Sequence, residues 1–167
     1  MTFKYGDRWC LQQPGEVLRG IKLFQDFDVK RVLEIGYWEG GFHAILNDFG
    51  IDVVSVDPAP RGVLLPTVII GDSTDQFIKY RVLAASYFYD VVFIDGDHTY
   101  NHVVKDIETY KDYHFKLLIL DDYFCSDVRN ACHDTLGKPD IIIDDWAPDQ
   151  AHPTHVWNGW AIYKMEV

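Results

Sequence analysis

The sequence predicts an α/β fold: a single doubly wound sandwich over residues 1–167, with a mostly parallel seven-stranded sheet and an antiparallel last strand. Three observations predict it. Four apolar runs each stop at an acid: Val32-Leu33-Glu34, Val53-Val54-Ser55-Val56-Asp57, Val91-Val92-Phe93-Ile94-Asp95 and Leu117-Leu118-Ile119-Leu120-Asp121-Asp122. Uninterrupted runs of this kind read as parallel strands covered on both faces, and such sheets bind ligands beyond the strands' carboxyl ends. Segments of helical period alternate with these runs, which implies right-handed crossovers. A glycine turn follows the first run, where a chain passing from strand to helix offers free backbone N–H groups.

The elements follow in order. Pro14, Val17, Leu18, Ile21, Phe24 and Phe27 have helical spacing behind an early proline, so residues 1–29 form an N-terminal helical segment. A strand over Arg31 to Ile35 leads through the glycine turn to a helix marked by Phe42, Ile45, Leu46 and Phe49 and stopped at Gly50. Ile51 to Val56 is the second strand, Asp57 to Gly62 a proline and glycine loop, and Pro66 to Ile70 the third strand. Thr74 to Phe88 is a helix and Tyr89 to Ile94 the fourth strand; Tyr100, Val103, Val104, Ile107 and Tyr110 then share one helical face. Phe115 to Leu120 is the fifth strand and Asp127 to Leu136 a short helix; Asp140 to Ile143 and Trp160 to Met165 pair as an antiparallel hairpin.

Composition narrows the function. At 48% hydrophobic residues, 167 residues are enough for one sizeable core. A net charge of −11 disfavours nucleic acid, whose phosphates are met by clustered Lys and Arg. No apolar run reaches the roughly 20 residues that span a bilayer, and the start lacks a signal-peptide core, so a cytoplasmic protein without a membrane partner is expected. Cys10, Cys125 and Cys132 form no C-x-x-C pair and read as small core residues in a reducing compartment. His152 and His155 flank a proline with no Cys or Glu to complete a ligand set, and read as a surface loop.

The turn Glu34-Ile35-Gly36-Tyr37-Trp38-Glu39-Gly40-Gly41 suits a nucleoside ligand, but its glycine spacing is not that of a dinucleotide fingerprint. Asp57 ends the second strand where an acid accepts the ribose hydroxyls of a bound nucleoside. Glu34, Glu39 and Asp95 make the surroundings acidic, which suits a sulfonium cation better than a pyrophosphate. Asp72 and Ser73, after the third strand, stand where an adenine amino group is held, or where one of them caps the next helix.

These segments, with Phe93-Ile94-Asp95-Gly96-Asp97-His98-Thr99-Tyr100 and Leu120-Asp121-Asp122-Tyr123, resemble the successive motifs of class I S-adenosylmethionine-dependent methyltransferases. The resemblance is to the branch of catechol-type and macrocin O-methyltransferases and covers about residues 30–125 and the β-rich ending. It implies a Rossmann-like sandwich and an enzyme that moves a methyl group from S-adenosylmethionine to a hydroxyl of a small molecule. It also implies donor contacts at Glu34, Gly36, Tyr37, Trp38, Gly40, Gly41, Asp57, Asp72, Ser73 and Asp95. Asp95, Asp121 and Asp122 are the implied ligands of Mg²⁺, and independent chemistry agrees: neighbouring strands lie about 4.8 Å apart, so adjacent terminal carboxylates share one hard cation. His98 is the implied base, aided by Asp95; an imidazole with a pKa of about 6.5 takes a proton from a metal-acidified alcohol.

The chain departs from that branch in its short N-terminal part, so the acceptor site is open or completed by a second subunit of a homo-oligomer. Tyr5, Trp9, Trp146, Trp157 and Trp160 are candidates for its rim, or for packing. Asp144-Asp145 reads as a solvated strand end, and Tyr113-His114-Phe115-Lys116 stands where relatives carry a Pro-Gly-Gly turn. The competing readings are a non-catalytic nucleoside-binding domain and an NAD-dependent oxidoreductase.

Overall fold

The computed structural model describes residues 3–144 and 158–165. Asp145, Trp146, His152, His155 and Trp157 lie outside the described residues. Strands β1 (Phe3–Tyr5) and β2 (Arg8–Cys10) form a hairpin ahead of α1 (Pro14–Asp26). The main sheet then builds through β3 (Arg31–Ile35), α2 (Gly41–Asp48), β4 (Asp52–Asp57), β5 (Val68–Ile70), α3 (Gln76–Ala85) and β6 (Val91–Ile94). It finishes with α4 (Tyr100–Tyr110), β7 (Leu117–Leu120), α5 (Ser126–Thr135), β8 (Ile141–Ile143) and β9 (Trp160–Lys164).

The seven strands lie in the order β5-β4-β3-β6-β7-β9-β8. The first five are parallel, while β9 runs antiparallel to both β7 and β8. The expected seven-stranded sandwich is therefore observed, with its last strand inserted between β7 and β8. Among the described residues no helix is long and apolar enough to cross a membrane.

Alternate side chains of each strand feed two cores, as a sheet covered on both faces requires. Leu33, Ile35, Val54, Val92 and Leu118 pack with Ile78 of α3, Ile107 of α4 and Val128 of α5. Val32, Val53, Val91 and Phe93 pack on the other face with Phe24 of α1 and Leu46 of α2. Each such burial contributes roughly 1.5–3 kcal/mol. Trp160 belongs to this second core: it is fully buried, with its ring centroid 5.0 Å from Phe93 and 5.7 Å from Phe42. It is a packing residue and not part of a rim, because the inserted β9 is covered on both faces.

Register places the functional edge. Ile35 pairs with Val56 and with Ile94, and Ile94 pairs with Leu120. Gly36, Asp57, Asp95 and Asp121 are therefore the next residues past one row of the sheet, at a common height.

Candidate active site

Past that row lies a cleft of about 340 Å³. The cleft brings together Glu34, Gly36, Tyr37, Trp38, Gly41, Asp57, Asp72, Ser73, Asp95 and His98, so nearly every expected donor residue faces one space. Gly40 stands behind it as the N-cap of α2, with φ 77°. Gly36 has φ 99°, and a Cβ there would collide with the carbonyl oxygen of Asp95, so only glycine lets β3 and β6 close on each other here. A Cβ on Gly41 would meet the backbone of Trp9, which lets the hairpin lie against the start of α2.

Asp57 shapes the turn before it meets any ligand. Its Oδ2 accepts the N–H groups of Tyr37 at 2.9 Å and Trp38 at 2.8 Å, and its Oδ1 accepts that of Ala59 at 2.7 Å. These bonds hold Trp38 in the left-handed region at φ 48°, where a non-glycine residue is strained. A carboxylate has about four acceptor positions. The turn takes three of them, which leaves room for one ribose hydroxyl where the sequence suggested two.

Glu34 is fixed from beneath. It lies opposite Ser55 in the β3–β4 ladder and accepts the Ser55 hydroxyl proton. His43 Nδ1 stands 2.6 Å from Ser55 Oγ, whose proton goes to Glu34, so this fully buried imidazole donates to serine through Nδ1, while its Nε2 lies 3.2 Å from the Thr67 hydroxyl. Sequence reading missed His43 because its helical position looks like any apolar-face residue.

At the other end, the acids of β6 and β7 converge. Asp95, His98 and Asp122 each offer a ligand atom, all within 4.8 Å of one another. His98 Nε2 lies 3.2 Å from Asp95 Oδ1 and 3.2 Å from Asp122 Oδ2. Burial, then Asp122 and Glu34, pushes the Asp95 carboxyl well above the usual range. Burial, then Asp95 and Asp122, does the same to Asp121. Asp122 is raised to about 6 by burial, against the opposing pull of His98. Clustered carboxylates with raised affinity for protons are the donor set a hard dication fits.

Asp121 is turned elsewhere. Its Oδ1 accepts the Asp122 N–H at 2.8 Å, and its Oδ2 accepts the side-chain amide of Gln12 at 3.1 Å. The same Gln12 nitrogen donates to Asp95 Oδ2 at 2.5 Å, while its oxygen accepts from Cys10 Sγ at 3.1 Å. Of the three acids expected to share a cation, Asp95 and Asp122 meet at His98, and Asp121 meets Asp95 through Gln12. Nothing in the sequence around Gln12 announces this role, because its partners are 83 and 109 residues away.

At the β5 end, Asp72 is exposed and its Oδ1 accepts from the Thr74 N–H and hydroxyl, both at 2.8 Å. Asp75 is the residue that caps α3. Ser73 is buried and donates to Asp106 Oδ1 at 2.5 Å. Of the aromatic candidates, Trp9 lines the cleft and is 37% exposed, whereas Tyr5 donates to Asp48 at 2.7 Å on the outer side of α2.

No protein-family model matches the chain, and no curated protein does. Solved structures do. A putative caffeoyl-CoA O-methyltransferase from Staphylococcus aureus aligns with a TM-score of 0.63 at 17% identity, over 92% of this chain and 84% of its own. An O-methyltransferase from Bacillus cereus in complex with SAH aligns at 0.60 and 16% identity, over 90% of this chain and 80% of its own. MycE methyltransferase of the mycinamycin biosynthetic pathway, in complex with Mg and SAH, aligns at 0.59 and 18% identity over 88% of this chain. This chain spans between 36% and 48% of the MycE length. These likenesses establish the architecture: the chain has the Rossmann-like sandwich of S-adenosylmethionine-dependent methyltransferases.

Proposed function

We propose that this chain is an S-adenosylmethionine-dependent, Mg²⁺-assisted O-methyltransferase acting on a hydroxyl of a small molecule, with His98 as its general base. The observation that carries the reading is the meeting of Asp95, His98 and Asp122 within 4.8 Å, beside a glycine-turn cleft of about 340 Å³. The solved neighbours support it: MycE has been seen with Mg, SAH and mycinamycin VI.

When bound, the sulfonium donor supplies an electrophilic methyl group and the dication lowers the pKa of an acceptor hydroxyl. Asp95 and Asp122 would hold the cation, with Asp121 available once Gln12 moves. Glu34, clamped by Ser55 and His43, presents negative charge to the sulfonium side of the cleft, and Asp57 takes one ribose hydroxyl. Gly36, Tyr37, Trp38, Gly40 and Gly41 shape the turn that fits the donor, and Asp72 with Ser73 closes its purine end. His98 would take the acceptor proton as the oxygen displaces the methyl group from the sulfonium, a C–S bond breaking as the C–O bond forms and S-adenosylhomocysteine leaving. Most of the rate gain comes from positioning two reactants in line. Trp9, exposed at the cleft, suits a small hydroxylated acceptor, alone or with a second subunit completing the site. Neither nucleic acid nor lipid has a part in this reading, and a cytoplasmic enzyme working as one methyltransferase domain fits it.

One observation favours a second reading. Gln12 ties Asp95 to Asp121, as it would in a donor-binding domain that has given up its metal. Incubation with S-adenosylmethionine and a panel of phenols, sugars and hydroxy acids, with and without Mg²⁺, separates the two. Mg²⁺-dependent release of S-adenosylhomocysteine supports the enzyme, donor binding without turnover supports the second reading, and calorimetric binding of NAD in preference to the sulfonium rejects both.

A further inference from the structure

The β5 end of the cleft contains a carboxylate that neither the turn nor the metal cluster uses. Asp106, in the second turn of α4, is completely buried yet lines the cleft. Its Oδ1 accepts the Ser73 hydroxyl, and the Tyr110 hydroxyl, one turn on, donates to the Ser73 carbonyl at 2.8 Å. The helix thus grips the Ser73 loop at two points and aims the acid. Asp106 Oδ2, by contrast, has no hydrogen-bond partner among the described residues. His102 Nε2 stands 3.9 Å away, beyond hydrogen-bond reach. A Cβ placed on Gly96 would come within 3.8 Å of the same oxygen, so the acid faces the side-chain-free floor behind Asp95.

A buried acceptor left without a donor is costly, by about 1–3 kcal/mol for a neutral group and more for a charged one. A ligand with an N–H aimed at that oxygen removes the cost. Of the two residues expected at this end, Ser73 gives its proton to Asp106 itself, and Asp72 is exposed, with its Oδ1 already taken by Thr74. We infer that Asp106 Oδ2 is the acceptor that recognises the exocyclic amino group of the donor's adenine, with Ser73 as the residue that orients it. The inference rests on the proposed donor site and adds to it a carboxylate from α4. An adenine amino group offers two N–H donors, whereas hypoxanthine presents an oxygen at the same place and is repelled.

Calorimetry of the full chain at pH 7.5 with S-adenosylhomocysteine and S-inosylhomocysteine tests this. The wild type is expected to bind the adenosyl form about 10- to 100-fold more tightly, the range for a buried hydrogen bond to a charged group. Asp106→Asn keeps an oxygen for Ser73 and turns an amide N–H₂ toward the cleft, so it should bind the inosyl ligand as well as or better than the adenosyl one. A merely structural role would weaken both ligands alike. Ser73→Ala, which removes only the orienting hydroxyl, should narrow the wild-type discrimination and serves if Asp106→Asn does not fold. Equal binding of both ligands by the wild type, or discrimination retained in both variants, overturns the inference. Binding of neither ligand by the wild type rejects the donor site itself.

Discussion

Two aspartates bracket β6, one at each end, and the chain treats them in opposite ways. Asp90, before the strand, accepts the backbone N–H groups of Lys30 at 2.7 Å and Arg31 at 2.9 Å and pairs with the Lys116 ammonium at 2.9 Å. Burial alone would raise its pKa, but Lys116 and the two N–H donors bring it below the usual value. Asp95, after the strand, meets Asp122 and, through Gln12, Asp121, and burial, with Asp122 and Glu34 beside it, drives its carboxyl upward. One end of the strand is a finished ion cluster that ties the β3 and β7 approaches to the sheet. The other is an electrostatic deficit. The same residue type is structural where the protein supplies its positive partners and poised for a ligand where it does not.

The largest test of this contrast is at the poised end. His98→Ala should lower turnover by about 10²- to 10⁴-fold, the usual contribution of a general base, while the affinity for S-adenosylhomocysteine stays within experimental error. Turnover equal to wild type would remove His98 from the mechanism. At the finished end, Asp90→Ala should cost about 2–4 kcal/mol in urea unfolding, because it orphans two N–H groups and leaves the Lys116 ammonium with only the Phe27 and Asp28 carbonyls. The folded fraction should retain its donor affinity, since Asp90 lies at the opposite end of the strands from the cleft.

Acid–base behaviour separates the two ends without mutation. The raised Asp122 favours the folded state most below the ordinary carboxyl range of about 4, and that contribution is lost as pH climbs through about 6. The lowered Asp90 has the opposite sign: its contribution is present above about 3.9 and lost as pH falls through its depressed value. Saturating Mg²⁺ should therefore raise the melting temperature by about 5–10 °C at pH 7.5 and far less at pH 5. Equal shifts at both pH values would mean that the cation does not bind the clustered acids. The smallest expected effect is at the bridge. Gln12→Ala removes one hydrogen-bond donor from Asp95 and Asp121, so Mg²⁺ affinity by calorimetry should rise by about 2- to 10-fold. Weaker binding in that variant would make Gln12 a support of the metal site.

The legible part of the molecule is the part with local signals. Val91 to Ile94 and Leu117 to Leu120 read as strands because a sheet covered on both faces demands unbroken apolar runs, and their terminal acids follow by position. Gly36 was legible because a turn between strand and helix needs it. The hairpin of β1 and β2 was not: two three-residue strands around Gly6-Asp7 are too short to show a period. The sequence leaves Trp160 open between rim and packing, and pairing decides for packing: β9 enters the sheet between β7 and β8 and carries its side chain into a core.

By itself, the sequence determined the alternation of strands and helices, the acidic ends of the strands and the glycine turn, because each depends on residues within a few positions of one another. Only the tertiary structure decided which acids meet. Asp122 joined Asp95 at His98, Gln12 came between Asp95 and Asp121, and Asp106 reached the cleft through Ser73. These contacts join residues up to 109 positions apart, and strand register and helix docking bring such residues together with no trace in the local pattern.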